Sequence, residues 1–317
     1  MPIYFRPHNT RLFPKGVGCL QIQPTGLAAR CDWVLLSDIG EPRYRLINQT
    51  AVTEPKTIFL SMRGGLEVIK YFEKTVLRRI NSKYILITGS EDLTVPTQTD
   101  HRWPKTTEEI TESITRILDS ENLVHWFAEN LDSRISAKIS PLPLGYVFDE
   151  ATPQSAQELK LGKPLAQRRI TLFCCHRVRE GPQWEERRHV TAMLEQAGCE
   201  STTVIRDELS STDYERMLSK SAFVICVSGG GIDPCPKAFQ SLQHGAVPVI
   251  RSGPMNECFR DLPVWIVDDW REVLADREAL KAKLLGFAAE MPSPHIMASR
   301  LSLDYWWTVV QAASKAA

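Results

Sequence analysis

Short apolar runs alternate along the chain with segments in which apolar residues recur every three or four positions. The runs predict buried strands, and the helical spacing predicts amphipathic helices. In the first half, the predicted strands are residues 33–36, 57–60, 84–88, 124–127 and 139–141. The predicted helices in that half are residues 67–80 and 107–118. This alternation is typical of an α/β fold with a mostly parallel sheet.

The second half repeats the alternation. Its predicted strands are residues 170–174, 202–205, 223–226, 246–250 and 264–267, and its predicted helices are residues 184–197, 211–219, 237–244, 270–287 and 302–314. Between the halves, residues 149–167 hold few apolar side chains and include Pro153 and Pro164, which indicates a linker. We therefore predict an α/β domain over residues 1–150, a linker over 151–168, a second α/β domain over 169–300 and a final helix over 301–317.

Composition excludes several classes of protein. The 317 residues suffice for about two domains, and equal numbers of basic and acidic residues (38 each) argue against a nucleic-acid partner. The apolar runs are strand-sized, so neither a signal peptide nor a membrane span is expected, and we expect a cytoplasmic protein. The eight cysteines are scattered without a C-x-x-C pair, which argues against a zinc site or a disulfide framework.

A three-glycine turn carries the most specific chemistry. Gly229, Gly230 and Gly231 separate a predicted strand from a predicted helix that begins near Lys237. Glycines allow close backbone approach, and a helix N-terminus attracts an anion such as a diphosphate. Asp233 could cap the turn or bind a ligand hydroxyl. Spacing alone leaves open the alternative of a tight turn between core strands with a solvated Lys237.

A longer ordered series follows this turn. It contains Asp233, Lys237, Phe239, Leu242, Gly245, Val247, Pro248 and Val249, followed by Leu262, Pro263, Asp268, Asp269 and Trp270. In these residues the segment resembles the C-terminal half of the exostosin-like glycosyltransferases. The resemblance covers about 45 residues within the segment from residue 223 to residue 270.

The resemblance implies two facing Rossmann-like domains of the GT-B type, with the final helix crossing back onto the N-terminal, acceptor-side domain and Trp306 and Trp307 at the seam. It also implies transfer of a sugar from a nucleoside-diphosphate sugar to a glycan acceptor hydroxyl. The resemblance favours a UDP-sugar as this donor. Such transfer would serve glycan or polysaccharide biosynthesis. Inversion at the anomeric carbon and independence from metal or other cofactors are expected on the same ground.

Two departures from the family pattern keep alternatives open. Gln240 stands where the family has the acidic residue that grips the donor ribose, and one extra residue follows Asp233. An inactive nucleotide- or glycan-binding relative is therefore one alternative. A fucosyltransferase-like enzyme that uses GDP-fucose is another, because that group shares the helix-Gly-x-x-Pro-Val pattern.

Basic residues follow the predicted strand 170–174. Arg177 and Arg179 lie at its end, and the resemblance implies that they approach the donor diphosphate, for which arginine is well suited. Arg187 and Arg188 on the next helix suit the same role or a solvated helix face. The implied donor-binding set is therefore Arg177, Arg179, Gly229, Gly230, Gly231, Asp233, Lys237 and Gln240.

Carboxylates in the first half are candidates for the general base. Glu91 and Asp92 follow the predicted strand 84–88, where a base for the acceptor hydroxyl could stand, although either could instead cap a turn. Arg63, Trp126 and Asn130 are possible cleft residues, with a core position for Trp126 and a structural role for Asn130 equally open. Asp268 and Asp269 resemble a metal-binding pair, but we expect no required metal.

Overall fold

The computed structural model describes residues 1–12, 18–20, 23–147, 155–198, 202–234 and 236–314. Its strands, in chain order, are β1 (Tyr4–Phe5), β2 (Trp33–Ser37), β3 (Tyr44–Asn48), β4 (Thr57–Ser61), β5 (Tyr84–Gly89), β6 (Leu123–Ala128), β7 (Ile139–Pro141), β8 (Gln157–Glu158), β9 (Ile170–Cys175), β10 (Thr202–Ile205), β11 (Ser221–Ile225), β12 (Val247–Arg251) and β13 (Trp265–Val267). Its α-helices are α1 (Glu67–Tyr71), α2 (Glu108–Asp119), α3 (Glu185–Ala197), α4 (Ser211–Lys220), α5 (Pro236–Gln243), α6 (Arg277–Glu290), α7 (Pro294–Arg300) and α8 (Leu303–Ala313).

The chain divides into two units. The N-terminal unit comprises Arg6–Ser155, Gly230–Asp233 and Ser302–Ala317, and the C-terminal unit comprises Met1–Phe5, Ala156–Gly229 and Pro234–Leu301. No sequence pattern predicted that Gly230–Asp233, in the middle of the second half, belongs with the N-terminal unit. Of the predicted features, linker residues 151–154, Cys199, Cys235 and the helix end 315–317 lie outside the described residues.

The N-terminal unit is built on one six-stranded sheet in the order β3-β2-β4-β5-β6-β7. All neighbours pair in parallel except β2 and β3, so the carboxyl ends of β2, β4, β5, β6 and β7 share one edge. Every residue of β5 is buried, as expected for a central parallel strand covered on both faces. Helix α8 belongs to this unit, where Trp306 is buried with its ring 5.4 Å from that of His8.

The C-terminal unit is built on a five-stranded parallel sheet in the order β10-β9-β11-β12-β13. The chain moves from β9 outward to β10 through α3 and then returns through α4 to β11 on the other side of β9. This reversal makes the carboxyl ends of β9 and β11 the topological switch point, where open α/β sheets bind their ligands. The prediction of an α/β protein with Rossmann-like parallel sheets is confirmed.

The structure corrects some predicted elements. Strand β3 was missed because its exposed edge position leaves arginine and asparagine among its apolar residues. The single helix predicted over 270–287 is wrong, since a 3-10 turn (Trp270–Leu274) ends before Asp276, whose side chain caps the new helix α6. The helix predicted over 67–80 continues beyond α1 as a π-turn (Phe72–Val76) and a 3-10 turn (Leu77–Arg79). Among the helices of the described ranges, none is long and apolar enough to cross a membrane.

Candidate functional site

The carboxyl ends of β5 and β6 turn through backbone conformations that ordinary residues rarely adopt. Ser90, directly after β5, has φ of 73°, and Asn130, two residues after β6, has φ of 56°. Left-handed backbone at non-glycine residues costs of order 1–3 kcal/mol and clusters at functional sites. The two strands are neighbours in the sheet, so these strained turns, which also carry Glu91, Asp92 and Glu129, lie at one edge.

Arg11 is the centre of a group of charged side chains at this edge. Its Nη2 lies 2.5 Å from Asp92 Oδ1 and 3.0 Å from Glu129 Oε1, and its Nη1 lies 3.9 Å from Glu91 Oε1. A second arginine, Arg102, lies 2.9 Å from Asp92 Oδ2 and 2.6 Å from Asp100 Oδ2. We call these residues the acid–arginine cluster: Arg11, Glu91, Asp92, Asp100, Arg102 and Glu129.

The two predicted base candidates differ in environment. Burial alone would raise the pKa of Asp92, but the guanidinium groups of Arg11 and Arg102 outweigh it and hold that pKa below its ordinary value. Asp92 is therefore poorly placed to accept a proton. Glu91 Oε1 accepts the backbone N–H of Asp92 at 2.9 Å, which is the turn-capping contact left open by the sequence, and its side chain is 24% exposed. A catalytic role for either stays a prediction, and Glu91 is the better candidate.

Glu129 is the carboxylate that sequence reasoning missed. Its side chain is fully buried and accepts hydrogen bonds from Thr10 Oγ1 at 2.5 Å and from the Ser90 N–H at 2.8 Å, besides its ion pair with Arg11. Burial raises the pKa of Glu129 to about 7, despite the opposing effect of Arg11. Its one sequence signal was its place directly after β6, parallel to the place of Glu91 and Asp92 after β5.

Asn130 holds part of the glycine turn on the N-terminal unit. Its side-chain oxygen accepts the backbone N–H groups of Ile232 at 3.0 Å and Asp233 at 2.9 Å. Asp100 Oδ2 accepts the N–H of Gly231 at 2.8 Å. Asn130 is 1% exposed, so it is a buried clamp and not an open cleft residue.

Close approach explains the two glycines of the turn that belong to the N-terminal unit. A Cβ on Gly230 would lie 1.9 Å from Arg102 Nη2, and one on Gly231 would lie 2.3 Å from Asn130 Oδ1. Gly231 also has φ of 68°, a conformation that favours glycine. Asp233, predicted to cap the turn or bind a ligand, accepts the backbone N–H of Leu144 at 3.0 Å and is buried.

In the C-terminal unit, Arg187 fills the switch point. Its Nε donates to the carbonyl oxygen of Ser228 at 2.9 Å, and its Nη2 donates to that of Val227 at 3.3 Å, both just beyond β11. Its Nη1 reaches the carbonyl oxygen of Arg177, just beyond β9, at 3.5 Å. The sequence left two roles open for Arg187, near the donor diphosphate or on a solvated helix face. Because Arg187 is buried, the structure excludes the solvated helix face. A Cβ on Gly229 would lie 2.3 Å from its Nη2.

Lys237 places a second positive charge at this switch point. It lies in the first turn of α5, which begins shortly after β11. Burial, reinforced by the charge of Lys237, lowers the pKa of His176 to about 3, so this histidine just beyond β9 is neutral. The same charge acts on the thiols of Cys174 and Cys175 at the end of β9. Arg187, Lys237 and Gly229 therefore form a cationic, glycine-lined end of the sheet, which we call the switch-point site.

The other predicted donor-binding residues lie further out in the same unit. Arg177 pairs with Glu208 and its side chain is 55% exposed. The guanidinium of Arg179 stacks 5.0 Å above the ring of Trp184. Gln240 is half-buried on α5, one turn beyond Lys237. Direct contact of these three with a donor stays a prediction.

The remaining candidates have local structural roles. Arg63 pairs with Asp38 at 3.4 Å, and Trp126 is fully buried with its indole N–H donating to Thr88 at 3.0 Å, which favours the core alternative for this tryptophan. Asp269 caps the 3-10 turn by accepting the N–H of Arg271. Within the described ranges, no group of three or more His, Cys, Asp or Glu side chains is arranged to hold a metal ion.

Comparison with known proteins gives only distant likeness. No protein-family model and no curated protein matches the chain. Among solved structures, a trehalose-6-phosphate synthase is 10% identical, with 83% of this chain and 74% of that chain covered and a TM-score of 0.43. The catalytic domain of starch synthase IV from Arabidopsis thaliana, bound to ADP and acarbose, is also 10% identical, with 83% and 72% covered and a TM-score of 0.37.

Proposed function

We propose that the protein is a glycosyltransferase of the GT-B type that takes its sugar from a nucleoside-diphosphate donor, more specifically a UDP-sugar. The observation that carries this proposal is the switch-point site, where Arg187 donates to the carbonyl oxygens of Ser228 and Arg177, just beyond β11 and β9, and Lys237 lies in the first turn of α5. This is the position in which open α/β sheets bind their ligands, and its charge suits a diphosphate.

The chemistry follows from the charges. The acceptor oxygen forms a bond to the anomeric carbon while the bond from that carbon to the donor phosphate breaks, and the electron pair stays on the diphosphate. Lys237 and the N-terminus of α5 stabilise this growing negative charge, as helix termini and cations do in phosphate sites. We assign Glu91, a carboxylate of the acid–arginine cluster, as the general base that takes the proton from the acceptor hydroxyl.

Three details of the proposal rest on the sequence resemblance. Inversion at the anomeric carbon and the absence of a required metal are carried over from the exostosin-like pattern, and the glycan acceptor is carried over with them. The partly exposed carboxylate of Glu91 suits recognition of a hydroxyl, because ionised carboxylates accept strong hydrogen bonds.

Replacement of Lys237 by Ala tests the donor site. Loss of a charge-assisted hydrogen bond to the diphosphate is expected to lower kcat/KM for the best donor by about ten- to a hundredfold. The assay is release of UDP or GDP from a panel of sugar nucleotides with glycan acceptors. Lys281→Ala, which removes an exposed lysine of α6, is the matched control and should leave the rate unchanged.

The outcomes separate the alternatives. Turnover of GDP-fucose but of no UDP-sugar would replace the UDP-sugar assignment with a fucosyltransferase. Gln240 lacks the charge of the family's acidic residue, so the second alternative is a protein that binds a nucleotide but does not transfer a sugar. Nucleotide binding by calorimetry with no donor hydrolysis or transfer would establish that function instead. An unchanged rate in Lys237→Ala would contradict the assigned donor site.

A further inference from the structure

Glu129 is enclosed within the N-terminal unit. Its Oε2 accepts hydrogen bonds from Thr10 Oγ1 at 2.5 Å and from the Ser90 N–H at 2.8 Å. The backbone of β5 approaches the same oxygen so closely that a Cβ on Gly89 would lie 2.9 Å from it. Its Oε1 lies 3.0 Å from Arg11 Nη2. Because this side chain is fully buried, it does not touch an acceptor, and its influence on the reaction must pass through a neighbour.

Arg11 is the neighbour that links Glu129 to the proposed base. Its Nη2 contacts both Glu129 Oε1 at 3.0 Å and Asp92 Oδ1 at 2.5 Å, whereas its Nη1 lies 3.9 Å from Glu91 Oε1. One guanidinium therefore serves three carboxylates, and its contact with Glu91 is the longest of the three. This distance matters, because an acceptor hydroxyl that donates to Glu91 competes with the guanidinium for the same carboxylate.

The charge on Glu129 depends on pH. Burial raises the pKa of Glu129 to about 7, while the charge of Arg11 and the hydrogen bond from Thr10 oppose this rise. The charged groups around Glu129 come from the N-terminal segment, the turn after β5 and the glycine turn, with one further ion pair beyond Asp92; they are Arg11, Glu91, Asp92, Asp233, Asp100 and Arg102. The cluster thus changes its charge near pH 7 at a group that the acceptor does not reach.

Protonation of Glu129 loosens its hold on Arg11. Charge-assisted hydrogen bonds are roughly twice as strong as neutral ones, so a neutral Glu129 holds the guanidinium less firmly. Nη2 then keeps only Asp92 as an ionised partner, and the guanidinium can close the gap of 3.9 Å to Glu91. An ionised Glu129 prevents this movement, which leaves the carboxylate of Glu91 to the acceptor hydroxyl.

We propose that Glu129 is a positioning residue, which in its ionised form holds Arg11 away from Glu91 and so keeps this base available to the acceptor. This inference rests on the proposed function and deepens it, since it adds a means of regulating the same site. The proton passes from the acceptor hydroxyl to the Glu91 carboxylate as the bond to the anomeric carbon forms, and Glu129 takes no part in that transfer. The rate should therefore follow the ionisation of Glu129.

The test is the pH dependence of kcat, measured as release of UDP or GDP from the best donor between about pH 5.5 and pH 8.5. The wild-type kcat should rise about tenfold over this range with its midpoint near pH 7, as loss of one charge-assisted hydrogen bond predicts. Glu129→Gln cannot ionise, so its kcat should stay at the low-pH value throughout, with the KM of the donor unchanged. Glu112→Gln, at an exposed carboxylate of α2, is the control and should show the wild-type rise.

A matched pair of variants at Thr10 tests the same inference without altering Glu129. Thr10→Val keeps the shape of the side chain but removes the hydroxyl that stabilises ionised Glu129, so the midpoint should move to higher pH by about one unit. Thr10→Ser keeps the hydroxyl and should keep the midpoint near pH 7. This pair decides the question even if Glu129→Gln does not fold.

The contrary outcomes are distinct. The inference is overturned, and the proposed function stands, if the wild-type profile is flat, if Glu129→Gln keeps the rise through pH 7, or if Thr10→Val leaves the midpoint unmoved. Full activity of Glu91→Gln would overturn the inference together with the assignment of the base. If the wild type turns over no sugar nucleotide, the proposed function is overturned as well.

Discussion

Replacement of Arg11 by Met is expected to lower the free energy of unfolding by about 3–5 kcal/mol at pH 8, the usual cost of removing one partner of a buried ion pair. The methionine fills a similar volume but leaves Glu129 without its nearest cation. Glu129 is fully buried, so its charge gains no compensating hydration. Urea denaturation of the two proteins at one temperature measures the difference.

The loss should shrink as the pH falls. The pKa of Glu129 in the folded protein is about 7, above its ordinary value of 4.5, because of burial. Its carboxyl therefore contributes stability that is fully present below about pH 4.5 and is lost as the pH rises through 7. At pH 5 the folded Glu129 is mostly protonated, so Arg11→Met leaves little charge stranded and should cost less than at pH 8.

A surface arginine provides the control. Arg116 pairs with Glu73 and Glu112 while its side chain is 46% exposed, so Arg116→Met should cost less than about 1 kcal/mol at either pH. Equal losses for Arg11→Met at pH 5 and pH 8 would contradict the assignment of Glu129 as the group that Arg11 compensates.

Local patterns were sufficient for the framework of both sheets. Strand β5 was predictable because every residue in it is buried, which makes it a nearly continuous apolar run in the sequence. The start of α2 was predictable because Thr107, whose side chain caps the helix, is a residue type typical of helix starts. Edge strand β3 was not predictable in this way, since one of its faces meets solvent. The break before α6 depends on a single cap, Asp276, inside an otherwise continuous helical pattern.

The candidate sites were predictable only in part, because their contacts join distant segments. The glycine turn and Lys237 stood out through residue type and spacing. Arg11 meets Asp92 across 81 positions of sequence, and Asn130 meets Asp233 across 103 positions, so no local pattern reveals either contact. Glu129 was hidden for the same reason: its role depends on Arg11 and Thr10, which no motif connects to it.

Asn130 unites several of these observations, because it is at once a strained residue and the clamp on the glycine turn. Replacement of Asn130 by Gly should increase the exchange rate of the Ile232 and Asp233 amide hydrogens by about a hundredfold. Both amides lose their acceptor, and an unsatisfied buried donor costs about 1–3 kcal/mol. Hydrogen exchange followed by mass spectrometry on peptides that cover residues 230–233 measures this directly.

A second replacement separates the clamp from the backbone strain. Asn130→Ala loses the same acceptor but must also place a Cβ at φ of 56°, so it should destabilise the N-terminal unit by about 1 kcal/mol more than Asn130→Gly does. Exchange at Ile232 and Asp233 should be equally fast in both variants, since both lack the carboxamide. Retained protection in Asn130→Gly would show that Asp100, through its bond to Gly231, holds the turn without help from Asn130.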